Sequence, residues 1–411
     1  MKALTLTSTQ QRVGVSAPGI PRRLRFTFGA TLSLLTVILV DLTIGMMFCG
    51  DGQFRQWRLP PYPLLFTENQ AKWLYQDDWP YYRFDRDLGW TLRPNATFAE
   101  GRYRTNSAGI RADREYELEP PPNVTRIAVF GDSFVHGDEV DNAQTAWRLL
   151  EEQNPHLEVL NFGVPGYGTD QAYLRYLNEG ARFKPNVVLV GLMLENIQRN
   201  VSVFRPAYYH DTGLPLAKPR YRVGSAGLEL MPCPASSLTE LRELISTGRL
   251  VDTLCETDYW VRQSPLAFRG SALFHSSLMR IGYAAYADRG RSQRDYYLDS
   301  SSEPYQVASK VLETFCRRAE SDGASRALVL VLPDKSTVRE LAAGDDSFYW
   351  GGMIHDLERR GVPCRDFTPA LLEATRHESI DAHFAGTHYS PRGHALLAGF
   401  VRDAVISVAQ R

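Results

Sequence analysis

Cysteine is scarce in this chain: Cys49, Cys233, Cys255, Cys316 and Cys364 are the five in 411 residues. They form no C-x-x-C pair and no zinc-ligand spacing, which excludes a disulfide-dense miniprotein and a structural zinc module. Net charge is nearly absent too, with 46 Lys and Arg against 47 Asp and Glu. No basic run follows the N-terminal segment, so nothing would draw in a polyanion, and a nucleic-acid partner is excluded. Internal repeats, low-complexity tracts and a G-x-x-x-x-G-K phosphate loop are all missing. What remains is an apolar content of 44%, enough to bury the core of one large domain or two ordinary ones.

One hydrophobic run stands apart. Residues 26–49 are almost wholly apolar, longer than the roughly 20 residues that cross a bilayer core. Lys2, Arg12, Arg22, Arg23 and Arg25 precede it, whereas Asp51, Arg55 and Arg58 follow. That asymmetry predicts a cytoplasmic tail (1–25), a transmembrane signal anchor (26–49) and an extracytoplasmic remainder. A cleaved signal peptide is the alternative, although the run exceeds a usual h-region and no small-x-small site follows it. Asp41 lies inside the run, where a carboxylate is expensive, and is expected at the outer interface or against a partner helix. The next stretch, 50–84, carries Pro60, Pro61, Pro63, Trp73, Trp79, Tyr81 and Tyr82. It reads as a stiff stalk near the membrane or as an edge segment of the globular domain. In an oxidising compartment Cys233 and Cys255 could close a loop; free buried thiols are the other reading.

From residue 85 onward the pattern alternates. Short apolar runs at 125–130, 157–160, 187–192, 327–332 and 362–367 read as strands. Amphipathic stretches at 143–153, 170–183 and 305–321 read as helices, and a last helix begins at Ser390 and Pro391, a good N-cap and first-position pair. Nearly all-apolar strands separated by helices predict a parallel sheet covered on both faces. Between 204 and 303 the alternation stops, and this segment reads as an insertion that covers the site.

Ligands of such sheets bind beyond the carboxyl ends of the strands. The first such turn is GDSFVHG, with Ser133 at the mouth of a helix, where backbone N–H groups favour developing negative charge. The second is NFGVPGYGT, whose glycines let backbone amides approach a substrate oxygen closely; a plain tight connection capped by Thr169 is the bland alternative. The third, LENIQRN, offers the side-chain amide of Asn196. Near the C-terminus, HFAGTHYSPRGH places His388 on the loop entering the last helix, within reach of Ser133 across the sheet edge. Three histidines there do not share a helical face, so no metal site is expected.

Taken in this order, the blocks GDSFVHG, NFGVPGYGT, VGLMLEN and HYSPRGHALLA resemble those of the SGNH (GDSL-type) hydrolase superfamily. The stretches DLGWTLRPNATF and RTNSAGIR resemble the lead-in of its membrane-anchored bacterial members. The resemblance covers about residues 87–199 and 327 to the C-terminus. It implies a three-layer α/β/α flavodoxin-like fold with a central parallel sheet of about five strands, spanning 85–411, plus one N-terminal transmembrane helix. It further implies Ser133 as nucleophile, His388 as base, and an oxyanion hole from Ser133, Gly166 and Asn196, with no cofactor. Leu194 and Ile197 stand where the family has glycine and aspartate, and Ala385 where its D-x-x-H aspartate falls. Asp381 is the substitute acid, or a backbone carbonyl holds the imidazole of a Ser-His dyad.

The function so implied is serine-dependent ester hydrolysis or acyl transfer. Its partner would be an acylated carbohydrate or another ester substrate, with O-acetyl groups on a cell-surface glycan foremost, and its place the bacterial inner membrane, met through residues 26–49, with the catalytic domain periplasmic or extracellular. The alternative from another class is a catalytically inactive carbohydrate-binding protein of the cell envelope; a structural subunit of a membrane complex is a third.

Overall fold

A computed structural model describes residues 21–47, 53–54, 57–58, 66–209, 212–269, 271–287, 292–345 and 347–409. Cys49, Pro60, Pro61 and Pro63 lie outside the described residues, as does most of the tail ahead of the apolar run. The chain divides into two units: residues 1–61 with 272–285, and residues 62–271 with 286–411. In the first, α1 (Arg22–Met47) is the one described helix long and apolar enough to cross a membrane, and none of its residues is buried.

The second unit is built on five strands: β1 (Thr125–Gly131), β2 (Leu157–Gly163), β3 (Val187–Met193), β4 (Arg326–Leu332) and β5 (Cys364–Asp366). They form one sheet in the order β5-β4-β3-β1-β2, every pair parallel. This is the doubly wound order, with its reversal between β1 and β3. Alternation within each strand divides the core in two. Ala128, Phe130, Val188, Val190, Val329 and Val331 face one layer, where Val307, Val311, Leu312 and Phe315 of helix Glu303–Ser321 cover them. Ile127, Val129, Leu189, Leu328 and Leu330 face the other, covered by Trp147, Leu150, Leu397 and Val401. Each such side chain stabilises the fold by about 1.5–3 kcal/mol relative to an exposed one. Both faces being dry explains why the central strands β3 and β4 are almost wholly apolar rather than alternating, whereas the edge strand β5, Cys364–Asp366, is only partly buried and carries Arg365 and Asp366.

The crossover from β1 to β2 runs through Ala146–Glu152 on the second face, and that from β2 to β3 through Thr169–Arg175 on the first. The opposite directions open a crevice at the end of β1. The described part of the segment read as a stalk, residues 66–84, packs into this body: Leu74, Trp79 and Tyr81 are buried in the first-face core. Aromatic area on that scale is stable only when covered, which favours the edge-segment reading of these residues. Within 204–303, helices and the hairpin of Arg220–Gly224 with Gly227–Met231 replace the alternation. Buried Asp258 ties them to the chain after β3 by accepting from the backbone N–H of Val203 (2.6 Å), Phe204 (3.0 Å), Trp260 (2.8 Å) and Val261 (3.2 Å). Cys233 and Cys255 are free thiols, as are Cys316 and Cys364.

Candidate active site

At the end of β1 the chain turns into a single helical turn, Ser133–His136. Asp132 caps it, accepting from the Phe134 N–H at 3.0 Å, and Gly137 closes it in the left-handed conformation. Ser133 therefore sits at the first position of a helical turn, where its own N–H has no intrahelical acceptor.

His388 comes from a two-residue hairpin. Phe384 and Ala385 pair antiparallel with Tyr389 and His388, and Gly386 takes the positive φ of 61° that such a tight loop favours. Tyr389 anchors the hairpin, donating from its hydroxyl to the Pro333 carbonyl at 2.8 Å. The ring of His388 lies 5.0 Å from that of Phe134, and its Nε2 is 2.8 Å from Ser133 Oγ. The structure thus brings the expected nucleophile and base into direct hydrogen-bond contact.

The other expected residues are placed differently. Gly166 has a φ of +83°, a conformation that favours glycine, and a Cβ there would press on Leu214 at 3.3 Å. Its carbonyl accepts from Arg205 at 2.8 Å, and the Pro165 carbonyl accepts from the Trp90 indole at 3.0 Å. Asn196 is buried, but its Nδ2 donates to Asp132 Oδ2 at 3.0 Å and to the Tyr167 carbonyl at 3.2 Å. An amide has two N–H groups, so in this arrangement none is left for an oxyanion. Asn196 instead braces the turn after β1 against the turn after β2, beside Arg199, which bonds the same two acceptors.

Asp381 stands on the surface, paired with Lys335 at 2.8 Å and Arg339 at 3.0 Å, whose charges hold its carboxyl below the usual range. Among the described residues, the hydrogen bond of His388 Nδ1 goes to Thr387 Oγ1 at 3.3 Å, not to Asp381. The expectation of Asp381 as orienting acid is thereby corrected: two cations beside it offer closer partners than the imidazole. Ala385, directly across the hairpin from His388, leaves that face without a carboxylate.

Sequence reasoning missed a buried network behind Ser133. His136 is fully buried, with Nε2 2.7 Å from the Tyr81 hydroxyl and Nδ1 2.5 Å from Asp138. Burial lowers its pKa to about 4, with the charge of Arg111 adding to the effect. Burial disfavours the charge of Asp138, but His136, His388 and Arg111 outweigh it and leave its carboxyl below the usual range. Asp132 shifts upward through burial, opposed by Arg199 and Asn196. The carboxyls of Asp132 and Asp138 both lie within electrostatic reach of His388. The one available signal was positional, since Asp132, His136 and Asp138 flank Ser133 in sequence.

No family model and no curated protein matches the chain. Solved structures similar to it include an alpha/beta hydrolase enzyme from the metagenome of Lake Arreo, at 14% identity and a TM-score of 0.37, covering 68% of this chain and 94% of that one. A lipase/acylhydrolase from Enterococcus faecalis matches at 13% identity and a TM-score of 0.34, covering 69% of this chain and 95% of that one. An acetylxylan esterase from Geobacillus stearothermophilus, in a catalytic mutant form, matches at 10% identity and a TM-score of 0.36, covering 68% and 94%.

Proposed function

We propose that this chain is a serine esterase or O-acyltransferase of the SGNH type, acting on acetyl esters of a cell-surface glycan. The observation that carries the reading is the 2.8 Å contact of His388 Nε2 with Ser133 Oγ at the crevice end of β1. His388 takes the Ser133 proton as the hydroxyl oxygen attacks the ester carbonyl. The tetrahedral oxyanion is held by the backbone N–H groups of Ser133 and Gly166, each such donor contributing about 3 kcal/mol to lowering the barrier. His388 then returns the proton to the departing sugar hydroxyl, leaving an acyl-enzyme. Water resolves it to give an esterase, and a second sugar hydroxyl to give a transferase.

Asn196 enters as the brace that keeps Asp132 and the Gly166 loop in register, and Asp381 has no part. The substrate class rests on the motif resemblance to membrane-anchored members that modify surface glycans. The length and apolarity of α1 support its reading as a signal anchor in a bacterial inner membrane, with the second unit outside the cytoplasm. The reading as an inactive carbohydrate binder draws on the missing carboxylate at His388 Nδ1. Treating the full chain with a fluorophosphonate decides between them. Capture abolished in Ser133→Ala is the expected result; a folded chain that never labels overturns the enzyme reading. Turnover of acetyl esters against transfer to an oligosaccharide then separates esterase from transferase.

A further inference from the structure

We infer that residues 272–287 form a second membrane-embedded element, docked on the outer end of α1 and seated in one leaflet of the lipid bilayer. The inference rests on reading α1 as the membrane span. Along α1 almost every side chain is exposed, but Asp41, Ile44 and Gly45 are half-covered, and these positions share one helical face.

Their cover is visible at two of the three. Asp41 Oδ1 accepts from Ser276 Oγ at 2.9 Å and from the Leu278 N–H at 2.8 Å. One turn on, a Cβ at Gly45 would come within 3.2 Å of Ser277 Oγ, so glycine permits the close approach. Ser276 also caps the helix Ser277–Ala287, accepting from the Met279 N–H at 3.2 Å. The carboxylate in the apolar run thus meets the positive end of a second helix, which is how an intramembrane acid is stabilised.

That second helix has the chemistry of an interfacial element. Met279 (46%), Ile281 (38%) and Tyr286 (68%) are exposed, and Phe274 packs edge-on against Tyr283 at 5.4 Å. Its 11 residues extend about 16 Å at 1.5 Å per residue, half of the roughly 30 Å hydrocarbon core, so it enters without crossing. In water these exposed apolar side chains would be costly; continuity with the apolar surface of α1 makes acyl chains the occupant that fits.

The test uses the full chain in dioleoylphosphatidylcholine vesicles doped with a phosphatidylcholine bearing a diazirine in its acyl chain. After irradiation, lipid-modified peptides are mapped by mass spectrometry. The expected result is modification in both 22–47 and 272–287. Modification of 22–47 alone overturns the inference and leaves that face to a protein partner or a second copy. Modification of neither shows that the spanning reading itself has failed. In Gly45→Leu the yield within 272–287 should fall at least about threefold, with 22–47 unchanged; an unaltered yield overturns the docking.

Discussion

At the scale of single residues, the contact between Ser133 and His388 joins positions 255 apart in sequence, and the replacements around it separate function from scaffolding. His388→Ala should lower kcat/KM by about a thousandfold or more, since the base and the nucleophile act as one unit. Asp381→Asn should change it by less than about twofold, because an exposed ion pair contributes little and this one does not reach the imidazole. The more demanding variant is Ala385→Asp. Cross-strand partners on one face of a hairpin lie about 5 Å apart at Cβ, so a carboxylate there could reach His388 Nδ1 in place of Thr387. It should raise kcat at least about tenfold, given the much larger effect of an orienting acid in complete triads; unchanged kinetics would mean that the surrounding charges of Asp132 and Asp138 already hold the imidazole. The Ser133–His388 pair was legible from the chain because each of the two sits in a short motif at the end of an element. The role of Asn196 was not, since it depends on what lies across the crevice: only coordinates show both its N–H groups taken by Asp132 and Tyr167.

At the scale of elements, the strands inside the sheet were readable because burial on both faces forces apolar runs; β1, β3 and β4 differ from expectation by one residue at an end, and the edge strand β5 keeps only Cys364–Asp366 of the expected 362–367. Strand β2 runs three residues further than its apolar stretch suggests, to Gly163, because Asn161 is buried with its own partners, donating to the His136 carbonyl at 3.1 Å. The helix expected over 170–183 is three pieces: an α-helix to Arg175, a π turn over Tyr176–Gly180 and a 3-10 turn over Ala181–Phe183. Periodicity alone does not report such local rewinding. The least legible region was 204–303, whose organising residue, Asp258, is held mainly by backbone N–H groups, with Ser202 Oγ as a further donor at 3.4 Å, and so leaves little side-chain pattern. The packing of the Ser133 turn on β2 makes a prediction of its own. A Cβ at Gly163 would lie 2.2 Å from the backbone nitrogen of His136, and backbone cannot swing aside as a side chain does. Gly163→Ala should cost about 3 kcal/mol or more in denaturant unfolding and, by displacing the turn, reduce activity in the fraction that still folds. Gly361→Ala provides the contrast. It has a positive φ of 81° but nothing within reach of its Cβ, so its strain of about 1 kcal/mol should leave activity intact.

At the scale of the whole molecule, the buried histidines couple stability to pH. His394 is fully buried: its Nδ1 accepts from the Ala146 N–H at 3.2 Å, and its Nε2 has no partner among the described residues. Protonation would turn that acceptor into a donor facing a donor. Burial, reinforced by the charges of Arg111 and His388, brings its pKa down to about 3. An unfolded chain has an ordinary imidazole, near 6.5. Between these values the unfolded state binds a proton that the folded state refuses, so stability falls as pH drops below about 6.5 and continues to fall toward 3. His136, at about 4, acts in the same sense over a shorter window. The raised carboxyls of Asp132, Asp170 and Asp258 act in the opposite sense just above their ordinary range, so the net curve mixes both. A comparison isolates one group: His394→Gln keeps a hydrogen-bond acceptor without a titrating proton, while every carboxyl is common to both proteins. The variant should be less stable at pH 7 through imperfect packing. Relative to wild type it should then gain about 2 kcal/mol as pH is lowered to 5, the integral of a displaced imidazole titration over that interval. Urea midpoints followed by tryptophan fluorescence at pH 7, 6 and 5 measure the difference; parallel curves would show that His394 accepts its proton in the folded state, and that the core around it admits the charge.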